Sequence, residues 1–283
     1  MADGSLLEPV ADFMRETAEI EIMPRYQALQ EDEVREKTGP KDLVTIADLE
    51  SERRLTLKLR DLLPGSEVIG EEAASNHPEI FQHFEGDSPI WIIDPVDGTS
   101  NFAKGSRHFC VMVGLVQKGE TRLGVILDPL GERWISAERG AGAWSRSYHE
   151  NTGERLNARA PASNAEMEGA LNLRFLDSPQ KEEVRARAKQ TIGRYYSLGC
   201  AGHEYIHLVE DKSHFSLYVK NMPWDHAPGC LIHAEAGGYQ ARFDGRSYHP
   251  GELTGGLLCA PDEESWRTLY AALFGAEVVN LAG

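Results

Sequence analysis

The sequence predicts a mixed α/β fold, and three features of its apolar pattern support that class. Apolar residues recur at helical spacing in two segments near the start of the chain. Several short apolar runs between 90 and 137, separated by glycines and polar turns, are typical of strands. Helical and strand patterns then alternate to the end of the chain. A chain of 283 residues has room for two domains, at about 150 residues each.

The first third of the chain contains the two helical segments. The first helix begins near Leu6, and its apolar periodicity persists until Pro24 interrupts it. A polar loop is predicted over 30–41, followed by a second helix from Ile46 to Leu62. A short strand at 68–69 then leads into a turn at Gly70.

The middle of the chain predicts a large, mostly antiparallel sheet, and the second half predicts alternating elements. A looser segment at 150–165 suggests a boundary, so we expect an N-terminal α+β half over 1–150 and a C-terminal α/β half over 151–283. In the second half, Ser178 is predicted to cap the helix that contains Pro179. Strands are predicted at 90–93, 109–117, 122–127, 133–137, 170–176 and 215–219, and later helices at 178–190, 202–209, 228–236 and from 262 onward.

Composition and charge exclude several classes of protein. Hydrophobic residues make up 41% and charged residues 26%, which excludes a disordered chain and a collagen. The formal net charge of −16 argues against nucleic acid or an anionic membrane as the main partner. A phosphate substrate would therefore require a bound cation. The four cysteines form no CxxC pair, so we expect buried free thiols. No secretory signal is apparent, and no apolar stretch reaches the roughly 20 residues that span a bilayer. We therefore expect a soluble cytoplasmic protein.

The clearest chemical signal follows the apolar run at 90–93. Asp94 and Asp97 are delivered into a turn that Pro95 stiffens and Gly98 permits. Two adjacent carboxylates repel each other unless a cation lies between them, and hard oxygen ligands suit Mg²⁺ or Mn²⁺. The Val96 carbonyl could serve as a further ligand. Beyond Gly98, backbone N–H groups and the hydroxyls of Thr99 and Ser100 could bind an anion, although an isolated DxxD is usually a plain turn.

Three other acidic positions are ambiguous when taken alone. The Glu71-Glu72 pair, directly after a strand, is the kind of sequence usually found on a solvated surface. Asp225, directly after Trp224, could cap the helix expected to open at Pro228. Asp48 lies where the polar face of the second helix is expected.

These segments together closely resemble the inositol monophosphatase family, part of a wider lithium-sensitive, metal-dependent sugar-phosphatase superfamily. The resemblance covers 37–238, and its most specific part is the Asp-Pro-x-Asp-Gly-Thr core at 94–99 combined with the distant Trp-Asp at 224–225. It implies a layered α-β-α-β-α sandwich with the active site between the two halves. The segments that carry it are 42–48, 70–72, 94–102, 224–225 and 235–238.

The resemblance also implies roles for individual residues. Asp48 and Thr99 would form the pair that orients and deprotonates the attacking water, and Glu72 would assist either by supporting the metal ligands or by helping to hold a third metal. Two or three Mg²⁺ ions are expected, with Mn²⁺ as a possible substitute. Their ligands would be Glu71, Asp94, the Val96 carbonyl, Asp97 and Asp225. The substrate would contact Asp97, Gly98, Thr99, Ser100, Ala201 and Tyr218.

One position departs from the inositol-specific pattern. Inositol-specific members carry a Glu seven residues before the Asp of the Trp-Asp pair, and this chain has Tyr218 there. Tyr218 either contacts a different substrate or packs inward as an ordinary strand residue. The departure weakens the assignment of inositol as the alcohol without affecting the phosphatase assignment.

The sequence therefore predicts a Mg²⁺-dependent phosphomonoesterase that acts on a small sugar or inositol phosphate, lithium-sensitive and homodimeric by resemblance. Three alternatives lie within the superfamily: histidinol-phosphate phosphatase, for which Glu204 is an uncertain amine partner, fructose-1,6-bisphosphatase, for which Lys220 alone is thin support, and 3′-nucleotide phosphatase. A fourth is a regulatory binding protein that keeps the fold.

Overall fold

A computed structural model describes residues 6–39, 42–150 and 152–275, and it confirms the mixed α/β class. The α-helices of this part are α1 Leu7–Thr17, α2 Ile46–Leu62, α3 Glu71–Asn76, α4 Thr99–Ala103, α5 Ser178–Thr191, α6 Ala201–Val209, α7 Pro223–Glu235 and α8 Glu263–Phe274. Its strands are β1 Val34–Gly39, β2 Asp42–Thr45, β3 Glu67–Gly70, β4 Ile90–Asp97, β5 Cys110–Gln117, β6 Glu120–Asp128, β7 Arg133–Glu138, β8 Ala143–Ser147, β9 Gly153–Leu156, β10 Glu168–Asn172, β11 Arg194–Tyr196, β12 Phe215–Tyr218, β13 Tyr239–Arg242 and β14 Leu257–Ala260.

The first sheet has seven strands in chain order from β3 to β9. Only β3 and β4 run parallel, so the expectation of a mostly antiparallel sheet is confirmed. Strand β4 is buried at all eight positions, as expected for a strand covered on both faces. Trp91 and Ile93 pack toward α1 and α2, whereas Met112 and Ile126 of the next strands pack toward α6 and α7.

The second sheet has five strands in the order β11-β10-β12-β14-β13. Helices α6 and α7 lie between the two sheets, and α5 and α8 cover the outer face of the second, which gives an α-β-α-β-α layering. Helix α7 lies very close to the first sheet because β6 carries a glycine there. A Cβ on Gly124 would lie 2.7 Å from the Pro228 carbonyl oxygen. This close approach brings the start of α7 toward the end of β4.

Three expectations about individual elements were wrong. The predicted loop at 30–41 contains β1, which pairs with β2 through backbone hydrogen bonds that its polar composition did not reveal; residues 40–41 lie outside the described part. Asp177, not Ser178, caps α5, because its Oδ1 accepts a hydrogen bond from the Gln180 N–H at 2.9 Å. Helix α7 begins at Pro223 rather than at Pro228, since a proline in the first turn of a helix loses no hydrogen bond.

Two further expectations concern the chain as a whole. In chain order, β9 is the last strand of the first sheet and β10 is the first strand of the second sheet. The division of the chain into two halves at residue 150 stays a prediction. Among the described residues, no helix combines the length and the apolar character needed to cross a bilayer.

Candidate active site

Three chain segments meet at one edge of the first sheet. Strands β3 and β4 are parallel neighbours, so Glu71 after β3 and the acids at the end of β4 emerge on the same side. The first turn of α7 adds Asp225. Carboxylate oxygens of Asp94, Asp97 and Asp225 all lie within 4.8 Å of one another. Every residue predicted to be a metal ligand lines a cavity of about 340 Å³, together with Gly98, Thr99 and Ser100.

The electrostatics of this cluster fit a divalent cation. Burial, followed by the charges of Glu71, Asp97 and Asp225, raises the pKa of Asp94 well above its ordinary value. Burial and Asp97 likewise raise the pKa of Asp225. Several buried carboxylates at this spacing repel one another unless a cation compensates them. Carboxylate and carbonyl oxygens are the donors that Mg²⁺ and Mn²⁺ prefer, so the residues present fit the metal that the sequence predicts.

The two acids of β4 are held in fixed orientations. Asp94 Oδ1 accepts a hydrogen bond from the Val96 N–H at 3.1 Å. Asp97 Oδ2 accepts three, from the Gly202 N–H at 2.6 Å, the Cys200 thiol at 3.1 Å and the Cys110 thiol at 3.5 Å. Since these donors all bind one oxygen, they orient the whole carboxylate of Asp97 toward the cavity.

Asp48 and Thr99 form the hydrogen-bonded pair that the sequence predicts. Thr99 Oγ1 lies 3.1 Å from Asp48 Oδ1 and 3.0 Å from the Val96 carbonyl oxygen. The other Asp48 oxygen, Oδ2, accepts hydrogen bonds from the backbone N–H of Thr45 at 2.8 Å and from its hydroxyl at 2.5 Å, because the two residues form a capping box at the start of α2. Burial raises the pKa of Asp48 to about 7, although the bonds from Thr45 oppose the rise.

Glu72 is hydrogen-bonded to Lys37, a partner that the sequence analysis did not predict. Lys37 of β1 donates hydrogen bonds to Glu71 at 2.8 Å and to Glu72 at 2.6 Å. Burial works to lower the pKa of Lys37, but the two carboxylates outweigh it and the pKa is raised. Burial, then Glu71, raises the pKa of Glu72 to about 8. The helper role of Glu72 stays a prediction.

Glu52 is a buried acid that the sequence analysis did not select, and it fixes the start of the helix that carries Glu71 and Glu72. Glu52 of α2 accepts hydrogen bonds from the backbone N–H groups of Glu72 at 2.7 Å and Ala73 at 2.8 Å, and so caps the start of α3. A Cβ on Gly70 would lie 2.3 Å from the Glu52 carboxyl carbon, so only glycine admits this cap. The sequence signal was weak, because Glu52 is twenty residues away from the group it holds.

The turn after β4 is held in place by Gly98 and Asn101. Gly98 has φ +84°, and a Cβ there would lie 2.6 Å from the His108 carbonyl oxygen. The glycine therefore supplies both the left-handed conformation and the space. The Asn101 amide ties the turn to the second half of the chain by donating to the carbonyls of His108 and Leu198, at 2.8 Å each.

A second cavity of about 220 Å³ adjoins the first, and the two share the lining residues Asp97, Arg174, Gly199 and Asp225. Ala201 and Tyr218, the two predicted residues of the substrate wall, line it. Tyr218 is only 6% exposed, and its ring packs against Tyr205 and His226 with centroids 5.7 and 4.6 Å away. Tyr218 therefore packs inward as a strand residue and also contributes to the wall of the cavity.

Glu204 also lines the second cavity, but its carboxylate is already engaged. One oxygen accepts a hydrogen bond from the Leu198 N–H at 2.9 Å, and the other accepts one from the Asn172 amide at 2.6 Å. Burial raises the pKa of Glu204 to about 7. A carboxyl group in this state is poorly suited to recognise a substrate amine.

Two cations at the mouth of the second cavity were not predicted as a pair. Strands β10 and β12 are parallel, with Asn172 opposite Tyr218, so Arg174 and Lys220 each follow two residues beyond the paired ends. Both charged groups lie over the ring of Phe175, at 5.2 and 5.3 Å from its centroid. The phenyl ring is exposed, and all three residues line the cavity.

Comparisons with known proteins agree with this geometry. The chain matches the model of the "Inositol monophosphatase family" over residues 7–278. It is 32% identical to the "Fructose-1,6-bisphosphatase/inositol-1-monophosphatase" of Thermotoga maritima, covering 76% of this chain and 77% of that protein. It is also 32% identical to the "Nus factor SuhB" of Pasteurella multocida, over 77% of this chain and 78% of the relative. Among solved structures, an IMPase of Thermotoga maritima matches with a TM-score of 0.78 and 26% identity, covering 94% of this chain and 95% of that one.

Proposed function

The chain belongs to the inositol monophosphatase family and is a phosphomonoesterase, and on that premise we propose that it hydrolyses a small sugar or inositol phosphate in a Mg²⁺-dependent reaction. The observation that carries the proposal is the group formed by buried Asp94 and Asp97 with half-buried Asp225, whose carboxylate oxygens lie within 4.8 Å of one another beside the turn at Gly98.

The proposed metal ligands are Glu71, Asp94, the Val96 carbonyl, Asp97 and Asp225. Two or three Mg²⁺ ions bound there would neutralise the charge of the phosphate ester and provide Lewis acidity. The clustered carboxylates supply the negative charge that recruits these cations, and the hydrogen bonds to Asp97 hold its carboxylate in place. This arrangement explains how a chain with a net charge of −16 can bind a phosphate dianion.

Thr99 and Asp48 would move the proton of the attacking water. When the Val96 carbonyl is engaged as a ligand, Asp48 Oδ1 remains as the acceptor for the Thr99 hydroxyl proton. A hydroxyl that donates to Asp48 turns a lone pair of Oγ1 outward, where it can accept a proton from water. Because Thr45 fixes the other Asp48 oxygen, the pair is oriented before substrate binds.

The turn at 98–100 would hold the phosphate, and the second cavity would hold the alcohol. Backbone N–H groups at the start of α4, next to the cavity that the predicted metal ligands line, would bind the phosphate. Ala201 and Tyr218 would form the wall against the alcohol. Inhibition by Li⁺ and a homodimeric assembly are further expectations that rest on the family alone.

A substrate with a second anionic group is the second candidate, and Arg174 with Lys220 favours it. Both cations line the second cavity and lie over the ring of Phe175, and Arg174 also lines the first cavity. Each charge-assisted hydrogen bond contributes about 1.5–3 kcal/mol, or roughly 10- to 100-fold in affinity. The bisphosphatase name of the Thermotoga maritima relative agrees with this candidate.

The test is phosphate release from a panel of esters, with Mg²⁺ and with EDTA. The panel contains inositol 1-phosphate, fructose 1,6-bisphosphate, histidinol phosphate, adenosine 3′,5′-bisphosphate and 2-glycerophosphate. We expect release that depends on Mg²⁺ and is absent in Asp94→Asn. Silence on every ester from folded, Mg²⁺-binding protein would instead support a partner-binding role, with which the Nus factor name of the Pasteurella multocida relative agrees.

The double variant Arg174→Gln/Lys220→Gln separates the two candidates. If the substrate carries a second anionic group, KM for fructose 1,6-bisphosphate should rise at least about tenfold while KM for inositol 1-phosphate changes little. An equal change for both esters would contradict a second anionic subsite. Unchanged KM values for both would contradict it as well.

A further inference from the structure

Behind the predicted metal ligands lies a compact group of two thiols and one carboxylate. The sulfurs of Cys110 on β5 and Cys200 at the start of α6 are 3.8 Å apart. They lie 3.5 and 3.1 Å from the same oxygen, Oδ2 of Asp97. All three residues are buried, and neither cysteine is in a disulfide. The hydrolytic proposal uses the two thiols only as hydrogen-bond donors that hold the Asp97 carboxylate.

The spacing of these three atoms matches the edges of a tetrahedral zinc site. With zinc–sulfur bonds of about 2.3 Å and zinc–oxygen bonds of about 2.0 Å, tetrahedral angles place two sulfurs about 3.8 Å apart and a sulfur and an oxygen about 3.5 Å apart. The observed separations of 3.8, 3.5 and 3.1 Å lie at or close to these values. A cation could therefore enter with small side-chain adjustments.

We propose that Cys110, Cys200 and Oδ2 of Asp97 bind a thiophilic divalent cation of the zinc class. On binding, the cation displaces the two thiol protons, which leave to solvent, and forms two metal–thiolate bonds and one metal–carboxylate bond. The Gly202 N–H continues to bind the same carboxylate oxygen through its other lone pair. Cys200 lines the second cavity, which gives the cation a route in and a water for the fourth position.

The proposed site differs from the predicted Mg²⁺ ligands in donor chemistry. Thiolates select soft and borderline cations, whereas Mg²⁺ prefers sites built from oxygen alone. Asp97 is common to both groups, so a cation at the thiols lies next to the carboxylates of Asp94 and Asp225. Its positive charge would weaken Mg²⁺ binding there, and phosphate release should fall as Zn²⁺ is added.

The other two cysteines provide a matched control. Cys230 and Cys259 are also buried and also lie next to each other. Within the described part of the chain, however, they belong to no group of three metal-ligating side chains. The proposal therefore predicts cation binding at one thiol pair and not at the other.

The experiment is a titration of the metal-stripped protein with Cd²⁺, followed through the ultraviolet sulfur-to-cadmium charge-transfer band. We expect a saturable band at one equivalent that persists in excess Mg²⁺. In Cys110→Ser/Cys200→Ser this band should be lost, because serine supplies no sulfur ligand, and in Cys230→Ser/Cys259→Ser the band and its midpoint should be unchanged. A wild-type protein without the band, or with a band that Mg²⁺ abolishes, overturns the proposal without requiring any variant.

The inhibitory consequence has its own test. The Zn²⁺ concentration that halves phosphate release should rise in Cys110→Ser/Cys200→Ser relative to Cys230→Ser/Cys259→Ser, with each variant normalised to its own rate without Zn²⁺. Equal inhibition of the two variants would place the inhibitory cation on the carboxylates alone and overturn this consequence.

Discussion

Replacing Thr99 tests whether its hydroxyl passes the proton from water to Asp48. Thr99→Ala removes a hydroxyl that lies 3.1 Å from Asp48 Oδ1 and 3.0 Å from the Val96 carbonyl oxygen. General acid–base groups contribute about 10²- to 10⁴-fold to a rate, so kcat should fall by at least about 100-fold. That loss corresponds to about 2.7 kcal/mol of transition-state stabilisation.

The same substitution should have a smaller effect on folding. It removes one hydrogen bond from Asp48, which keeps its two bonds from Thr45, and a typical hydrogen bond contributes about 0.5–1.5 kcal/mol to stability. The assay is phosphate release at saturating Mg²⁺, with kcat and KM determined separately, and urea unfolding of the same preparations. We expect the loss to fall mainly on kcat.

Thr99→Ser is the matched control, because it keeps the hydroxyl and removes only a methyl group. Its kcat should stay within about tenfold of the wild-type value, since the proton path is intact. A Thr99→Ala enzyme within a few-fold of wild type would refute the proton-transfer role. So would a loss confined to KM, or equal losses in the alanine and serine variants.

Two further predictions concern the residues that support the site. Gly70→Ala should displace Glu52 from the start of α3 and lower the free energy of unfolding by about 2–4 kcal/mol. Gly86→Ala should not, because the nearest atom to its added Cβ would be the His83 carbonyl oxygen at an ordinary contact distance of 3.5 Å. Equal urea midpoints for the two variants would contradict this packing. Glu204 has a folded-state pKa of about 7, above its ordinary value of 4.5, so wild-type stability should decrease as the pH rises through this interval, by up to about 3 kcal/mol. Glu204→Gln should lose less stability between pH 5 and pH 8, and an unchanged pH dependence in urea unfolding would contradict the raised pKa.

Much of the site could be predicted because its signals are local in the sequence. An apolar run that ends in Asp94 and Asp97 fixes where β4 delivers its carboxylates, and all eight residues of that strand are buried. The start of α2 was also predictable, because Thr45 and Asp48 have the spacing of a capping box.

The features that sequence reasoning missed depend on contacts between distant segments. Lys37 lies in a polar hairpin that reads as a loop, and only the fold brings it to Glu71. Arg174 and Lys220 meet because β10 and β12 pair in parallel, and apolar periodicity does not specify which strands are neighbours. The cysteine pair beside Asp97 joins residues ninety positions apart and has no spacing motif.

The most direct test of the central claim is phosphate release by Asp94→Asn across a range of Mg²⁺ concentrations, beside the wild-type enzyme. The claim is that the clustered carboxylates of Asp94, Asp97 and Asp225 hold the cations on which hydrolysis depends. Because asparagine keeps the shape of the side chain and removes its charge, the variant should fold, bind Mg²⁺ more weakly by calorimetry, and show no turnover at any Mg²⁺ concentration. Near-normal turnover of inositol 1-phosphate by Asp94→Asn would contradict the account.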